Sequence, residues 1–164
     1  MAMIRKTTLA DLDRVMEIYA VAKRYMDATG NPTQWVDGYP RRELVEGDIA
    51  RGESYVVLEN DCIHGVFMFM QRIEPTYGYI EDGAWLNDAP YGTIHRVASD
   101  GACRRLFDTI VAYCKGVTEN LRVDTHHDNL PMQKAIERNG FIRCGIVYME
   151  NGTKRIAYQM GDAK

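Results

Sequence analysis

The segment RVASDGACRRLF, residues 96–107, places one glycine and two arginines where a predicted strand passes into a predicted helix. The first N–H groups of a helix lack partners, and together with the helix dipole they attract anions. Arg104 and Arg105 oppose that dipole, at a cost of about 0.3–1 kcal/mol each. A bound phosphate would reverse the sign, because arginine and amide groups would then share one anion. The segment therefore indicates a phosphate-bearing ligand at residues 101–107, although two solvated arginines offset by Asp100 would also explain it.

Two predicted loops each combine a tryptophan with polar side chains. NPTQWVDGY contains Trp35, and GAWLNDAPYG contains Trp85. Loops on a rigid scaffold often carry binding groups. Two interpretations stay open: the tryptophans line a pocket for a ligand with an apolar or planar part, or they seal an edge of the core. The polar residues that such a pocket would use are Asn31, Gln34 and Tyr39.

The segment DTHHDN, residues 124–129, groups histidines with aspartates, which are metal-ligand types. Adjacent residues of a strand point to opposite faces, so we expect His126 and His127 to be unable to share one ion. We therefore predict no metal site here. Asp124 and His126 share a parity, and both can face the same cleft.

The hydrophobic spacing around these segments alternates between helix and strand periods. TLADLDRVMEIYAVAKRYM repeats apolar residues at helical spacing, whereas SYVVLEN and IHGVFMFMQ are typical of a hairpin. Asn151-Gly152 predicts a type I′ turn between the last two strands. The other predicted strands are residues 3–7, 76–81, 91–99, 121–126, 141–149 and 154–160, and further helices are predicted around 44–49, 102–115 and 129–139.

This order of elements predicts a single α/β domain over residues 1–164, with a mixed sheet in which 93–99 and 120–126 are parallel. The chain is 46% hydrophobic and 26% charged, which suffices for a core without a metal or disulfide. The net charge of −3 argues against a nucleic-acid binder, and the densest apolar stretch, Val66–Met70, is too short for a membrane span. The four cysteines form no C-x-x-C pair, so we expect reduced thiols in a cytoplasmic protein.

DNLPMQKAIERNGF, residues 128–141, follows a predicted strand and ends in Asn-Gly-Phe. Together with the RVASDG turn, the strand and long helix at the start and the closing hairpin, it resembles the GNAT superfamily of N-acetyltransferases. The resemblance covers nearly the whole chain. It implies a mostly antiparallel sheet with one parallel, splayed pair, flanked by about four helices. It also implies acetyl-CoA as co-substrate, with no metal.

The resemblance further implies where acetyl-CoA binds. The pantetheine arm would pair like an added strand with the backbone of Val97, Ala98 and Ser99. Asn129, on the following helix, would contact the same ligand. The residues whose amides would hold the diphosphate are Cys103, Arg104, Arg105, Leu106 and Phe107.

Two features depart from the family's pattern. The family's loop is Q/R-x-x-G-x-G/A. Its positions read either Cys103, Arg104, Leu106 and Phe107 or, in the preferred alignment, Arg105 and Phe107 in place of the two glycines. We expect helical backbone at both, so that only closeness to phosphate would demand glycine. Ile136 stands where the family usually has a tyrosine general acid, so the common acid for the leaving thiolate is missing.

Acetyl transfer to an amine needs a base, because an ammonium group has no lone pair. From their predicted positions near the splayed strands, the candidates are His95, Glu81 and Asp82. Histidine suits the task best by type, although a structural role would also explain each of the three. Tyr148 and Tyr158 lie on the closing strands and are candidates to replace the missing acid, while packing is the commoner role of strand tyrosines.

The sequence thus predicts an N-acetyltransferase that moves an acetyl group from acetyl-CoA to a primary amine of a small molecule, by direct transfer in a ternary complex as the resemblance implies. The residues predicted to bind that acceptor are Asn31, Gln34, Trp35 and Trp85. Two alternatives stay open. One is a degenerate module that binds acyl-CoA without turnover, as Arg105 and Ile136 suggest; the other is a protein or peptide N-acetyltransferase with an open groove. The sequence is compatible with a homodimer.

Overall fold

The computed structural model describes residues 2–161, and seven strands are present in that part of the chain. They are β1 (Ala2–Lys6), β2 (Ser54–Glu59), β3 (Cys62–Met70), β4 (Gly92–Ser99), β5 (Leu121–Thr125), β6 (Ile142–Tyr148) and β7 (Lys154–Met160). Within the described residues they form one sheet in the order β1-β2-β3-β4-β5-β7-β6, in which only β4 and β5 are parallel neighbours. This confirms the predicted mixed sheet, mostly antiparallel with one parallel pair.

Four α-helices in residues 2–161 cover the two faces of this sheet. They are α1 (Leu12–Ala28), α2 (Arg42–Ala50), α3 (Leu106–Lys115) and α4 (Leu130–Arg138). Helix α1 packs on β3 and β4 and α2 packs on β2, whereas α3 packs on β1, β4 and α4. No helix in the described part of the chain is both long and apolar enough to cross a membrane.

Alternation along the strands divides the core into two layers. On β2, Val57 belongs to the cluster with α3 and α4, whereas its neighbour Val56 belongs to the cluster with α1 and α2. On β3, Phe67 and Val66 divide in the same way. Because neighbouring strand residues point to opposite faces, both faces of these strands are buried. Burial on both sides explains why the two strands are continuous apolar runs.

Residues 76–81 do not form the predicted strand. Pro75–Tyr77 is a 3₁₀ turn, and Glu81 makes an isolated bridge with Ile146. Proline fixes its own φ and has no N–H to donate, which favours the turn over a paired strand. The strand prediction was wrong here because it rested on residue types and gave no weight to this proline.

Helix α3 begins at Leu106 rather than near residue 102. The Oγ of Ser99 accepts a hydrogen bond from the N–H of Gly101 at 2.9 Å, and Oδ1 of Asp100 accepts one from Ala102 at 2.9 Å. Such local bonds offer the backbone an alternative to the helix. A short non-helical turn therefore separates β4 from α3.

The loop before β4 is fixed against β6. Glu81 and Ile146 exchange two backbone hydrogen bonds of 2.8 Å, and the N–H of Ala84 donates to the carbonyl of Cys144 at 3.0 Å. Between them, Gly83 lies so close to β6 that an added Cβ would overlap the carbonyl oxygen of Cys144. A larger residue would force one of the two backbones to move.

We expect Gly83→Ala to destabilise the fold by about 1–3 kcal/mol, the usual cost of an extra group in a packed site. Gly47→Ala is the matched control, because an added Cβ within α2 meets the flexible Nη1 of Arg51 first, at 3.2 Å. The control should be neutral or stabilise by up to about 1 kcal/mol, since alanine favours helices. Urea unfolding measures both effects. An unchanged midpoint for Gly83→Ala would contradict the packing of this loop.

Candidate active site

A cleft of about 510 Å³ opens where β4 and β5 stop pairing. The parallel ladder joins Gly92–Ile94 to Leu121–Val123, and the later residues of both strands line the cleft. The loop between α1 and α2, the first turn of α4 and the β6–β7 hairpin complete its walls. Of the predicted site residues, the cleft is lined by Gln34, Trp35, His95, Val97 and Asn129.

A bulge interrupts β4 at Arg96, whose φ is +52°. The register against β3 shifts between Val66 and Met68. Arg96 forms paired hydrogen bonds to Asp48, from Nη2 to Oδ1 at 2.6 Å and from Nε to Oδ2 at 3.0 Å, and Nη1 donates to the Tyr39 hydroxyl at 3.0 Å. Burial opposes the positive charge, but Tyr39 and Asp48 outweigh it and raise the pKa of Arg96. A buried ion pair therefore holds the bulge in place.

The β4 residues after the bulge pair on one side only. Ala98 lies opposite Val66 and Ser99 lies opposite Gly65, both on β3. On the side of β5, residues 2–161 provide no partner strand for them. Val97 lines the cleft, whereas the Ala98 side chain is buried in the cluster with α1. The edge predicted to pair with a pantetheine arm is therefore open.

His95 lies between two carboxylates at the cleft. Its Nε2 is 3.1 Å from Oε2 of Glu74, and its Nδ1 is 3.7 Å from Oδ2 of Asp124. The Tyr77 hydroxyl donates to the same Asp124 oxygen at 2.6 Å. Within residues 2–161 Nδ1 makes no hydrogen bond. If Nε2 carries the proton and donates it to Glu74, Nδ1 is the nitrogen with a lone pair for an incoming proton.

Two neighbours of His95 have strongly shifted proton affinities. Burial by itself would raise the pKa of Glu74, but the hydrogen bond and charge of His95 and the bonds from Thr76 lower it to about 2. Burial, together with the charge of Asp124, raises the pKa of Tyr77 well above its usual value. At neutral pH Glu74 is therefore a carboxylate that orients the imidazole, and Tyr77 keeps its proton as a donor to Asp124.

The turn between β4 and α3 carries free backbone donors. In the described chain, no protein acceptor meets the N–H groups of residues 103–108. Phe107 has helical backbone, as expected, but Arg105 is left-handed with φ +53° and ψ +42°, so the expectation for Arg105 was wrong. Glycine is the residue that adopts this conformation most readily. The dihedral angle alone therefore accounts for the glycine that the resemblance implies at position 105.

Both arginines of this turn face solvent. The Arg105 side chain is 71% exposed, and its Nη1 lies 3.6 Å from Oδ2 of Asp108. Arg104 forms no ion pair within residues 2–161. Asp100 does not offset them, because its carboxylate is held by Arg14 at 2.6 Å. The alternative of two arginines balanced by Asp100 therefore loses its support.

The side chains of Cys103, Leu106 and Phe107 belong to or pack against the core, so these residues have only backbone groups to offer a ligand. The Sγ of Cys103 donates to Oε2 of Glu59 at 3.2 Å. Burial and this bond raise the pKa of Cys103 to about 11, and burial raises the pKa of Cys114 to about 12. Neither thiol is a thiolate at neutral pH.

The polar residues of the first predicted loop form one network. Gln34 accepts from the side-chain amide of Asn31 at 2.7 Å and from that of Asn129 at 2.9 Å. Asn129 also caps α4. Trp35 is buried beside the network and packs edge-on against Tyr19. This network joins the loop to the start of α4 across the cleft.

Glu81, Tyr148 and Trp85 are among the predicted site residues that do not line the cleft. The Tyr148 hydroxyl donates to Oε1 of Glu81 at 2.8 Å, so these two pair with each other. Trp85 stacks on the guanidinium of Arg122 at 4.0 Å. The structure therefore does not bring Trp85 to Trp35, and the two tryptophans do not share a pocket.

The two histidines of DTHHDN do not point to opposite faces, contrary to the sequence prediction. Strand β5 ends at Thr125, so alternation no longer applies, and the rings of His126 and His127 stack 4.2 Å apart. With Asp128 they are close enough to share an ion. However, Nδ1 of His126 accepts from the N–H of Asp128 at 3.0 Å, and its Nε2 contacts Oγ1 of Thr33 at 3.1 Å. Both ring nitrogens of His126 are therefore engaged within the protein.

Several residues in or behind the cleft were not predicted from the sequence. Glu74, Arg96 and Arg155 line the cleft, whereas Asp48 and Tyr77 lie behind it and contact Arg96 and Asp124. Glu74 and Tyr77 share one turn, the others come from separate segments, and no motif connects them. Arg155 follows Lys154 at the start of β7, so its sequence position gives no sign that it is buried.

Glu74→Gln should lower the free energy of unfolding at neutral pH and make it depend less on pH in the acid range. The pKa of Glu74 in the folded protein, about 2, lies below its ordinary value of 4.5, so the unfolded chain takes up this proton first as the pH falls. The stabilisation is therefore complete above pH 4.5 and is lost as the pH falls towards 2. Thermal unfolding from neutral pH to pH 2 should show the difference in Tm between wild type and variant shrinking over this window. Glu119→Gln, which removes an exposed carboxylate, is the control. A difference in Tm between wild type and Glu74→Gln that does not change with pH would contradict the assignment.

Several solved structures of other proteins share this architecture. A GNAT-family acetyltransferase from Streptococcus agalactiae is 30% identical, with a TM-score of 0.89 and alignment over 99% of this chain and 96% of the other. One from Bacillus cereus is 22% identical, with a TM-score of 0.60 over 100% and 99% of the two chains. A Salmonella typhimurium protein solved with its cofactor acetyl-CoA has a TM-score of 0.61 at 17% identity, over 97% and 92%. No family sequence model and no curated protein sequence matches. With the first similarity extending over nearly all of both chains, the protein belongs to the GNAT family of acetyltransferases.

Proposed function

We propose that the protein transfers the acetyl group of acetyl-CoA to a primary amine of a small molecule, directly and within a ternary complex. The main support for this proposal comes from the residues of a single strand, β4, and from the turn that follows it. Strand β4 has His95 at its middle and leads at its end into the turn with free N–H donors at residues 103–108. A ligand lying along β4 would have its anionic group at the turn and its acyl group towards the imidazole.

The turn and the open edge of β4 fit the parts of acetyl-CoA. The free amides of residues 103–108 and the exposed side chains of Arg104 and Arg105 suit a diphosphate, since each would form a charge-assisted hydrogen bond. The unpaired edge of β4 after Arg96 suits the amide groups of a pantetheine arm, which would add to the sheet like a strand. The structural relative solved with acetyl-CoA supports this assignment.

His95 is the proposed base. Its Nδ1 would accept a proton from the acceptor's ammonium group, while Glu74 holds the Nε2–H and stabilises the imidazolium that forms. The freed nitrogen lone pair then bonds to the acetyl carbon, the carbon–sulfur bond breaks, and sulfur leaves with the electron pair. The protonated imidazole or solvent returns a proton to that thiolate, and the nitrogen loses its second proton to the imidazole or to solvent as the amide forms.

The remaining site residues favour direct transfer without an acid at position 136. Ile136 is wholly buried and has no proton to give. The raised pKa of Cys103, about 11, disfavours an acyl-enzyme formed on this thiol near the turn. The reaction therefore depends on removing a proton from the amine rather than on delivering one to sulfur.

Arg105→Glu should weaken acetyl-CoA binding, because it places an anion beside the proposed diphosphate. We expect the Kd to rise by about tenfold or more at low salt, equivalent to about 1.4 kcal/mol. Arg143→Glu is the matched control: it makes the same change of charge at an exposed position on the edge strand β6. Calorimetry with acetyl-CoA measures both. An equal Kd for the two variants would remove Arg105 from the site.

His95→Ala should reduce turnover while acetyl-CoA binding stays within about threefold of wild type. A general base contributes about 10²–10⁴-fold, so we expect a loss of kcat in that range. His127→Ala, which removes an exposed imidazole, is the control. The assay follows thiol release from acetyl-CoA with a panel of small primary amines across a pH series. Unchanged kcat and pH profile in His95→Ala would show that the imidazole is structural.

The same assay separates the two alternatives. Acetyl-CoA binding without thiol release for any amine or peptide would favour a non-catalytic module. Release with peptides but not with small amines would favour a protein acetyltransferase. Absence of acetyl-CoA binding would overturn all three.

A further inference from the structure

Arg155 differs from the other arginines that line the cleft, because it has no carboxylate partner in residues 2–161. Arg51 and Arg72 both pair with Glu53, and Arg96 pairs with Asp48. The nitrogens of Arg155 donate instead to two backbone carbonyl groups and one hydroxyl. The cleft therefore contains a cation whose charge the described protein does not neutralise.

Arg155 is also almost completely buried, with 6% of its surface exposed. A buried charge is costly unless it is paired. Burial lowers the pKa of Arg155, and the nearby charge of Asp124 compensates only in part. Its Nε donates to no acceptor within residues 2–161. An anion bound at this side chain would supply the missing charge.

Gln34 provides a second donor beside Arg155. The Nη2 of Arg155 donates to the backbone carbonyl of Gln34 at 2.7 Å, so the two residues are in contact. The Oδ1 of Asn129 accepts from the N–H of Met132 as the cap of α4, which turns its amide nitrogen towards Gln34. The receiving atom is therefore Oε1 of Gln34, which also accepts from Asn31. The Nε2 group of Gln34, with two N–H bonds, has no acceptor among the described residues.

The Thr125 hydroxyl is not part of this donor set, although its Oγ1 is buried and has no hydrogen-bond partner among the described residues. In the β5–β7 ladder Thr125 lies opposite Ile156, the residue after Arg155, so its side chain and that of Arg155 project from opposite faces of the sheet. The donors on this wall are therefore the guanidinium of Arg155 and the side-chain amide of Gln34. A group with two acceptor oxygens and a negative charge matches them.

The opposite charge lies a short distance along the same sheet. Asp124 pairs with Ala157, so Arg155 is its diagonal neighbour on one face, about 7–8 Å away by sheet geometry. Asp124 and Glu74 flank His95, the proposed base. A positively charged amine is attracted to these carboxylates, and an anion is attracted to Arg155. The spacing allows one small molecule to reach both.

We propose that the acceptor is an amino acid or a closely similar amino-carboxylate, whose carboxylate is bound by Arg155 and the Nε2 of Gln34 while its amine meets His95. This rests on the proposed function, since it names the acceptor class for the same cleft. A simple alkyl amine or polyamine would leave Arg155 unpaired. A phosphate of the coenzyme has similar chemistry, and the test distinguishes it.

The test compares free amino acids of differing side chains with their carboxamides, which keep the amine and remove the negative charge. Wild type should acetylate the best free acid at least about tenfold more efficiently in kcat/KM than its carboxamide. Arg155→Gln should abolish this preference by lowering kcat/KM for the acid alone, with the Kd for acetyl-CoA within about threefold of wild type. Arg155→Lys should restore part of the preference, and Arg143→Gln is the matched control. Gln34→Glu, which places an anion at the site, should also abolish the preference and serves if the Arg155 variants do not fold.

Equal efficiency for acids and carboxamides in wild type would overturn the proposal. The proposal would also be overturned if Arg155→Gln weakened acetyl-CoA binding rather than lowering kcat/KM for the acid, because the anion would then belong to the coenzyme. Calorimetry with the same amino acids and CoA-loaded protein gives a readout independent of turnover. Arg155-dependent binding without acetylation would support this proposal while the proposed function fails. Acetylation of amines without an Arg155-dependent preference would leave the function standing and overturn the acceptor class.

Discussion

The parting of β4 and β5 after Ile94 is the feature on which the rest of the site depends. Three residue pairs align the two strands, and the following residues of β4 then lack a partner on that side within the described chain. Buried backbone groups need partners, so such an edge favours water or a ligand that pairs like a strand. The Arg96–Asp48 pair fixes the bulge next to this edge, with a carboxylate that is 1% exposed. Breaking a buried pair of this kind costs about 3–5 kcal/mol, so the cleft is a stable part of the fold.

Most arginines of the cleft have a carboxylate beside them. Arg51, Arg72 and Arg96 each pair with Glu53 or Asp48, so three cations share two carboxylates. The carboxylates that flank His95 line the same cleft as the cation Arg155, which has no carboxylate partner among residues 2–161. In a partly buried site each of these charges is worth more than at the surface, because the effective dielectric constant is lower. For the proposed acceptor class, they would orient a small dipolar molecule with its amine towards His95.

The sequence was sufficient for the parts of this structure that depend on local patterns. Apolar periodicity identified the helices and most strands, and the turn after β4 was recognised from Gly101 and its flanking residues. Side-chain direction in loops and beyond strand ends was not predictable, which is why Trp85 and the pair His126–His127 were misplaced. Glu74 was missed for a different reason: it lies in a loop far from His95 in sequence, and only the folded sheet brings the two together. The left-handed backbone at Arg105 depends on how the turn closes, which its residue type does not reveal.

Ile136 stands where the resemblance implies a tyrosine acid. The free energies of the two proton transfers explain why the proposed reaction can proceed without that acid. At pH 7, deprotonating an alkyl amine with a pKa of about 10.4 costs about 4.6 kcal/mol. Releasing a thiol with a pKa of about 8.5 as its thiolate, rather than as the neutral thiol, costs about 2 kcal/mol. The larger demand is therefore on the amine, and the proposed base for it is His95, whose Nε2 lies 3.1 Å from Oε2 of Glu74. At position 136 an apolar side chain instead completes the core between α4 and the sheet, with none of its surface exposed. A chain that meets the larger demand with a base can use the acid's position for packing.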